Sequence, residues 1–296
     1  MFHRNRKKQT QQSESAHVLR TKMLRANSSF AVKEAYNAVR TKLLFTGQGE
    51  KCPVFSITSA FSHDGKTTNA VNLAISIATA GKKVLLIDGD LRKPTIHKYF
   101  GVESANGLSE VLAGLTREVR IRKTEIANLH VLTSGQIPPN PAELLGSRQM
   151  DTLLDYVKKY FDYVLIDTPP VNVVTDAMIL AEKVTGYVLV VQSGKNKFKD
   201  LSYAIDGLRQ MNGNVVGVIL NDCSGKGATR FGYRNESSYY RRGGYRRGYR
   251  EQDYMTVADR RSRPSKSDAG QENSLSGAPM DPATESVLPA DSQSHT

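Results

Sequence analysis

The chain has no apolar run near the roughly 18 residues that a membrane-spanning helix needs. Its longest apolar pieces are strand-sized, such as 84–87 and 215–220. No apolar signal-peptide core follows the basic start, so the cytoplasm is the expected setting. Cysteine is scarce: Cys52 and Cys223 are the only two in 296 residues, and their spacing fits no metal site. This excludes a disulfide framework and leaves two inert thiols in a reducing compartment. The six histidines are scattered and offer no zinc pattern. Leu, Ile and Val are absent from 224–252, which is mainly Gly, Arg, Tyr, Ser and Asn. Such a stretch cannot bury enough apolar surface to offset the entropy of ordering it.

Acidic residues are also few, and the formal net charge is +12. The imbalance is local. Residues 51–223 hold 19 Lys/Arg against 17 Asp/Glu, so the middle of the chain is nearly neutral. The excess sits on the flanks, where it favours anionic membrane surfaces, acidic partners or nucleic acid.

The middle alternates two patterns. Short apolar runs at 54–58, 83–88, 129–132, 162–167, 186–191 and 214–220 read as strands. Helical spacing marks 66–80, 107–113, 141–160, 175–183 and 198–211. A further helix is expected from Ser28 to about Phe45, with Ala31, Ala35, Val39 and Leu43 along one stripe and Phe30, Val32, Tyr36 and Leu44 widening it. Most of the strand runs are continuously apolar, as buried parallel strands are. The expected fold is α/β: a doubly wound, mostly parallel sheet with disordered tails. The divisions are a basic N-terminus (1–26), a core domain (27–223), a Tyr/Arg/Gly-rich tail (224–254) and a polar extension (255–296).

The motif with the most chemistry is Ser59-Ala60-Phe61-Ser62-His63-Asp64-Gly65-Lys66-Thr67-Thr68. It lies between the strand 54–58 and a helix, the context a phosphate-binding loop requires. Backbone N–H groups from Ser62 to Thr68 would cradle phosphates, Lys66 would reach the terminal ones, and Thr67 would ligate Mg²⁺. The usual first glycine of the motif is Ala60, the smallest alternative. Two other strands end in carboxylates, one in Asp88-Gly89-Asp90-Leu91-Arg92 and one in Asp167-Thr168-Pro169-Pro170. Open α/β sheets bind ligands at these strand ends. Asp167 suits Mg²⁺, Asp88 suits the metal or an incoming nucleophile, and Asp90 suits the metal shell. Each taken alone would more often be a helix cap or a loop start.

These three motifs in this order resemble the bacterial tyrosine kinases of the CpsD/CapB type, within the MinD/ParA-like P-loop ATPases. The resemblance covers roughly 27–254. It implies ATP and Mg²⁺ as cofactors, with catalysis by Lys66, Asp88, Asp90 and Arg92. Nucleotide contacts would come from Ser62, His63, Asp64, Gly65, Lys66, Thr67 and Thr68, with the adenine read by Asn221. Mg²⁺ would sit among Thr67, Asp88 and Asp167. Glu34-Ala35-Tyr36-Asn37-Ala38-Val39-Arg40 is similar to the family's oligomerisation helix, with Asn37 in place of its middle arginine. Tyr233, Tyr239, Tyr240, Tyr245, Tyr249 and Tyr254 match the family's autophosphorylated cluster. The resemblance further implies a role in capsule or exopolysaccharide synthesis. Its partners would be a transmembrane activator that recruits the chain to the inner face of the membrane, other copies of the chain, and a cognate phosphatase.

Two other classes compete. A MinD/ParA-type positioning ATPase would generally carry a lysine where this loop has Phe61. A nucleic-acid-binding role would rest on the Arg-Gly-Tyr run at 240–250.

Overall fold

The computed structural model describes residues 16–222. The tail tyrosines, Cys223, the polar extension and residues 1–15 lie outside the described residues.

Seven strands form one sheet in the order β3-β4-β2-β5-β1-β6-β7. They are β1 (Val54–Ser59), β2 (Val84–Asp88), β3 (Arg122–Lys123), β4 (Leu129–Leu132), β5 (Tyr163–Asp167), β6 (Gly186–Gln192) and β7 (Val215–Asn221). Every pairing is parallel except β3 with β4. The helices are α1 (residues 16–21), α2 (Phe30–Thr46), α3 (Lys66–Thr79), α4 (Ile96–Phe100) and α5 (Leu108–Leu112). α6 (Pro141–Gly146), α7 (Arg148–Val157), α8 (Asp176–Ile179) and α9 (Phe198–Gln210) follow.

Side chains alternate faces along a strand, and this sheet is covered on both. Val84, Leu86 and Leu165 pack with α3 residues such as Leu73 and Ile77. Leu85, Ile87, Val164 and Ile166 pack with Leu108, Leu145, Met150 and Leu153 of α5, α6 and α7. Burial on both faces explains why most of the strand runs are continuously apolar; the edge strand β7 is the exception, with Val218 and Leu220 exposed. The strand order places the site. β5 lies between β1 and β2, with Ile57 and Asp88 both in register with Asp167. The loop after β1 and the ends of β5 and β2 therefore meet at the carboxyl ends of the central strands.

The expected elements are present, with several differences. The helix expected over 141–160 breaks at Ser147, which is extended (φ −68°, ψ 159°). Gly146 at this break packs so closely on α8 that a Cβ would stand 2.9 Å from Ile179. The segment expected as helix over 175–183 holds only one short α-helical piece, α8. α1, α4 and β3 were not expected, being too short to leave a period in the sequence, and α1 lies in the N-terminal stretch expected to be disordered. The stripe on α2 is only half used: Val39, Leu43 and Leu44 pack inward, whereas Phe30, Ala31, Val32 and Ala35 are exposed.

Candidate active site

The loop between β1 and α3 is braced from within. Phe61 N–H donates to Asp64 Oδ2 (3.0 Å), and Ser59 Oγ donates to the Phe61 carbonyl (2.7 Å). Asn196 Nδ2 donates to the same Asp64 oxygen (2.8 Å). The Asp64 carboxylate thus faces the protein, and what that residue can offer a phosphate is its backbone N–H. Ala60 is fully buried and is not among the loop residues with positive φ, so the missing glycine costs the turn nothing. The left-handed residues are His63 (φ 71°) and Gly65 (φ 93°). A left-handed non-glycine residue such as His63 is uncommon and clusters at functional sites.

Gly65 is required twice over, by its φ and by its neighbour. A Cβ there would stand 2.2 Å from Asn221 Nδ2, which donates to the Asp64 carbonyl (2.9 Å). Asn221, expected to read the adenine base, is therefore also a brace of the loop. Gly65→Ala is expected to destabilise the fold by about 1–2 kcal/mol and to weaken nucleotide binding. Thermal denaturation and titration with Mg-ADP check the two effects.

Lys66 and Thr67 meet two of the three acids, Asp90 and Asp167. Lys66 Nζ lies 2.9 Å from Asp90 Oδ2 and 3.3 Å from Asp167 Oδ2. Thr67 Oγ1 donates to Asp167 Oδ2 (2.6 Å). Burial works against the Lys66 charge, but Asp167 and Asp90 outweigh it and raise the ammonium above its usual range. Asp90 Oδ1 also accepts from Lys93 N–H (3.0 Å), which closes the turn after β2.

Asp88 does two things with its two oxygens. Oδ2 accepts from Thr95 N–H (3.0 Å) and Ile96 N–H (2.9 Å), capping the start of α4. Oδ1 is buried without a partner. The helix-cap reading of this carboxylate is thus correct for one oxygen and leaves the other available. Burial, and next the Asp167 carboxylate, push the Asp88 pKa up to about 8, against the Ile96 N–H and Lys66. Asp167 is likewise raised by burial, with Lys66 and Thr67 opposing.

Among the described residues no three His, Cys, Asp or Glu side chains converge as a ready-made metal cage. Mg²⁺ does not need one, since it keeps several waters and takes one or two carboxylates plus substrate phosphates. The touching oxygens of Thr67 and Asp167 and the bare Asp88 Oδ1 fit that requirement.

Arg92 is turned toward a partner that the sequence did not reveal. Its Nε and Nη2 donate to the two oxygens of Asp176 (2.8 and 2.9 Å), which is fully buried at the start of α8. The pair ties the loop after β2 to the loop after β5. Arg92→Ala would leave Asp176 buried without its counterion. The expected cost is about 3 kcal/mol, the low end for a buried pair because Arg92 itself is partly exposed. Urea denaturation measures it. The Asp-Thr-Pro-Pro turn is fixed by Thr168, whose Oγ1 donates to the Ile57 carbonyl (3.1 Å), and by Thr58, which donates to the Pro169 carbonyl (2.8 Å).

Sequence reasoning also missed Asn196 and Tyr99, whose hydroxyl meets Thr68 Oγ1 at 2.7 Å. In the helix similar to the oligomerisation helix, Asn37 donates to Glu34 (2.8 Å) and Arg40 donates to the Ser76 carbonyl (3.0 Å).

A strand, a left-handed Gly-Lys-Thr loop at a helix start and two carboxylates on adjacent parallel strand ends define a nucleotide-binding P-loop ATPase. Comparison with known proteins agrees and is narrower. The AAA domain family matches residues 59–222. A tyrosine-protein kinase of Bacillus subtilis, YwqD, is 41% identical over 201 residues, covering 68% of this chain and 85% of the relative. The tyrosine-protein kinase CapB of Staphylococcus aureus, so described as putative, is 37% identical over 191 residues, 64% of this chain and 84% of the relative. The kinase domain of the Escherichia coli tyrosine kinase ETK superposes with a TM-score of 0.61 at 39% identity, covering 64% and 74% of the two chains. The septum site-determining protein MinD of Pyrococcus horikoshii, solved with Mg-ADP, is more distant: TM-score 0.50, 27% identity, 57% and 70% coverage. The chain belongs to the tyrosine-protein kinase family of CapB, YwqD and CpsD. No helix among the described residues is long and apolar enough to cross a membrane.

Proposed function

We propose that this tyrosine kinase transfers the γ-phosphoryl group of ATP to tyrosines of its own C-terminal cluster and thereby regulates capsule or exopolysaccharide synthesis. The observation that carries the mechanism is the bare Asp88 oxygen beside the Lys66–Asp167 pair. Phosphoryl transfer is mostly positioning and charge stabilisation. Lys66 and the N–H groups from Ser62 to Thr68 would hold the β- and γ-phosphates, and Asn221 would contact the base. Thr67, Asp167 and Asp88 would hold Mg²⁺, which neutralises phosphate charge when bound. Asp88, held ionised when the cation is bound beside it, would also align the tyrosine hydroxyl and accept its proton, since a tyrosine of pKa about 10 gives up little of it unaided at neutral pH. Asp90 would keep Lys66 in place until phosphates compete for it, and Arg92 would hold the loop that carries both acids.

The acceptors would be Tyr233, Tyr239, Tyr240, Tyr245, Tyr249 and Tyr254, offered to a neighbouring copy of the chain. Each phosphate would add nearly two negative charges among nearby arginines. Exposed Phe30 and Val32 on α2 support a contact between copies. A membrane-bound activator would bring the chain to the inner membrane face, and a phosphatase would reverse the modification. The test is incubation with Mg-ATP, with and without a candidate activator's cytoplasmic tail, then mass spectrometry against a Lys66→Met control. Phosphate on the cluster, absent from the control, supports the proposal. ATP turnover without phosphotyrosine moves the chain to the positioning-ATPase class. Tight, steeply salt-dependent RNA binding by the tail in place of phosphorylation favours the nucleic-acid role.

A further inference from the structure

α3 is buried along most of its length, yet one stripe of it is polar: Asn69, Asn72 and Ser76. Their spacing puts them on one face, which meets α2 and the residues before it. Tyr36 Oη donates to Asn69 Oδ1 (3.1 Å) and accepts from Asn72 Nδ2 (3.1 Å). Asn72 also donates to the Lys22 carbonyl (3.0 Å) and accepts from Leu24 N–H (2.7 Å). Asn69 Nδ2 donates to the Gly65 carbonyl at 3.0 Å, and Asn69 N–H donates to the same oxygen, also at 3.0 Å. One residue therefore grips the last loop carbonyl twice.

A peptide unit is planar, so a fixed Gly65 carbonyl fixes the Lys66 N–H on the opposite side. That N–H belongs to the donors at the start of α3, where a helix end attracts phosphate. We propose that Tyr36 is a positioning residue for the phosphate loop. Acting through Asn69, it sets the Gly65–Lys66 peptide and links nucleotide affinity to the docking of α2 and residues 22–24. The chemistry of the contact supports a role beyond packing. Buried amides and hydroxyls cost stability unless fully bonded, and an apolar pair would cement two helices with less at stake. Here the polar chain ends on the loop itself. The inference rests on the reading of 59–68 as a nucleotide phosphate loop.

Tyr36→Phe keeps the ring and deletes the hydroxyl. In the full chain we expect the Kd for fluorescent Mg-ADP and the KM for ATP to rise about three- to tenfold, with kcat changed by less than about twofold. Asn69→Ala should raise both constants at least as much. In nucleotide affinity the double variant should be no worse than Asn69→Ala alone, because Tyr36 reaches the loop through Asn69, whereas its bond to Asn72 bears on residues 22–24. Multiplying effects in the double variant overturn the proposal. So does a Tyr36→Phe protein that melts earlier yet binds Mg-ADP like the parent, the result for a tyrosine that only packs. If the parent chain fails to bind Mg-ADP, or Lys66→Met binds it equally well, the phosphate-loop reading itself falls.

Discussion

An Asp88→Asn enzyme is expected to bind Mg-ATP and to melt no lower than its parent, yet to phosphorylate tyrosine about 10²–10⁴-fold more slowly. The carbonyl oxygen of asparagine can still cap α4 by accepting from Thr95 and Ile96 N–H. Replacing the other oxygen removes a proton acceptor and also the repulsion between two buried carboxylates, Asp88 and Asp167. Chemistry and stability therefore part company at this position. Single-turnover labelling of the tail at saturating ATP, with calorimetry on the same preparation, reads both. Labelling at the parental rate would remove Asp88 from the mechanism.

Lys66→Met is expected to lose phosphoryl transfer by at least about 10²–10³-fold, the scale for removing a single preorganised donor. Its stability should move the other way from that of Asp88→Asn. Lys66 is the cation between Asp90 and Asp167, and Asp167 is fully buried. Deleting one partner of a buried pair leaves an uncompensated charge and costs about 3–5 kcal/mol. The variant should fold but denature at lower urea. An unchanged midpoint would mean that the two acids find other partners or take up protons without penalty. Phosphotyrosine at the parental level would overturn the assignment of Lys66.

What was legible in the sequence was local. Gly65-Lys66-Thr67 between a strand and a helix, and carboxylates closing two apolar runs, are contiguous signals, and the sheet brings them together at Asp167. Contacts between distant positions left no such trace. Arg92 and Asp176 are 84 residues apart, and Asn196 and Asp64 are 132 apart. Nothing near either member names the other. Periodicity identified the stripe on α2 but not how much of it the core covers, so Phe30 and Val32 were expected inside and are outside. Tyr36 lay on that stripe and looked like packing. Its hydroxyl matters because of Asn69, which fell within a helix read for its apolar positions alone.

The place of β1 in the sheet bears on how the protein is made. Both of its neighbours, β5 and β6, come more than a hundred residues later in the chain. At about 5–20 residues per second, the strand that leads into the phosphate loop leaves the ribosome about 5–20 s before either neighbour exists. Val54 to Ser59 must wait unpaired through that interval, with Val54, Phe55 and Ile57 bare for chaperones to hold. A chain truncated before Tyr163 should stay bound to them and capture no nucleotide, so that catalytic competence arrives late in synthesis.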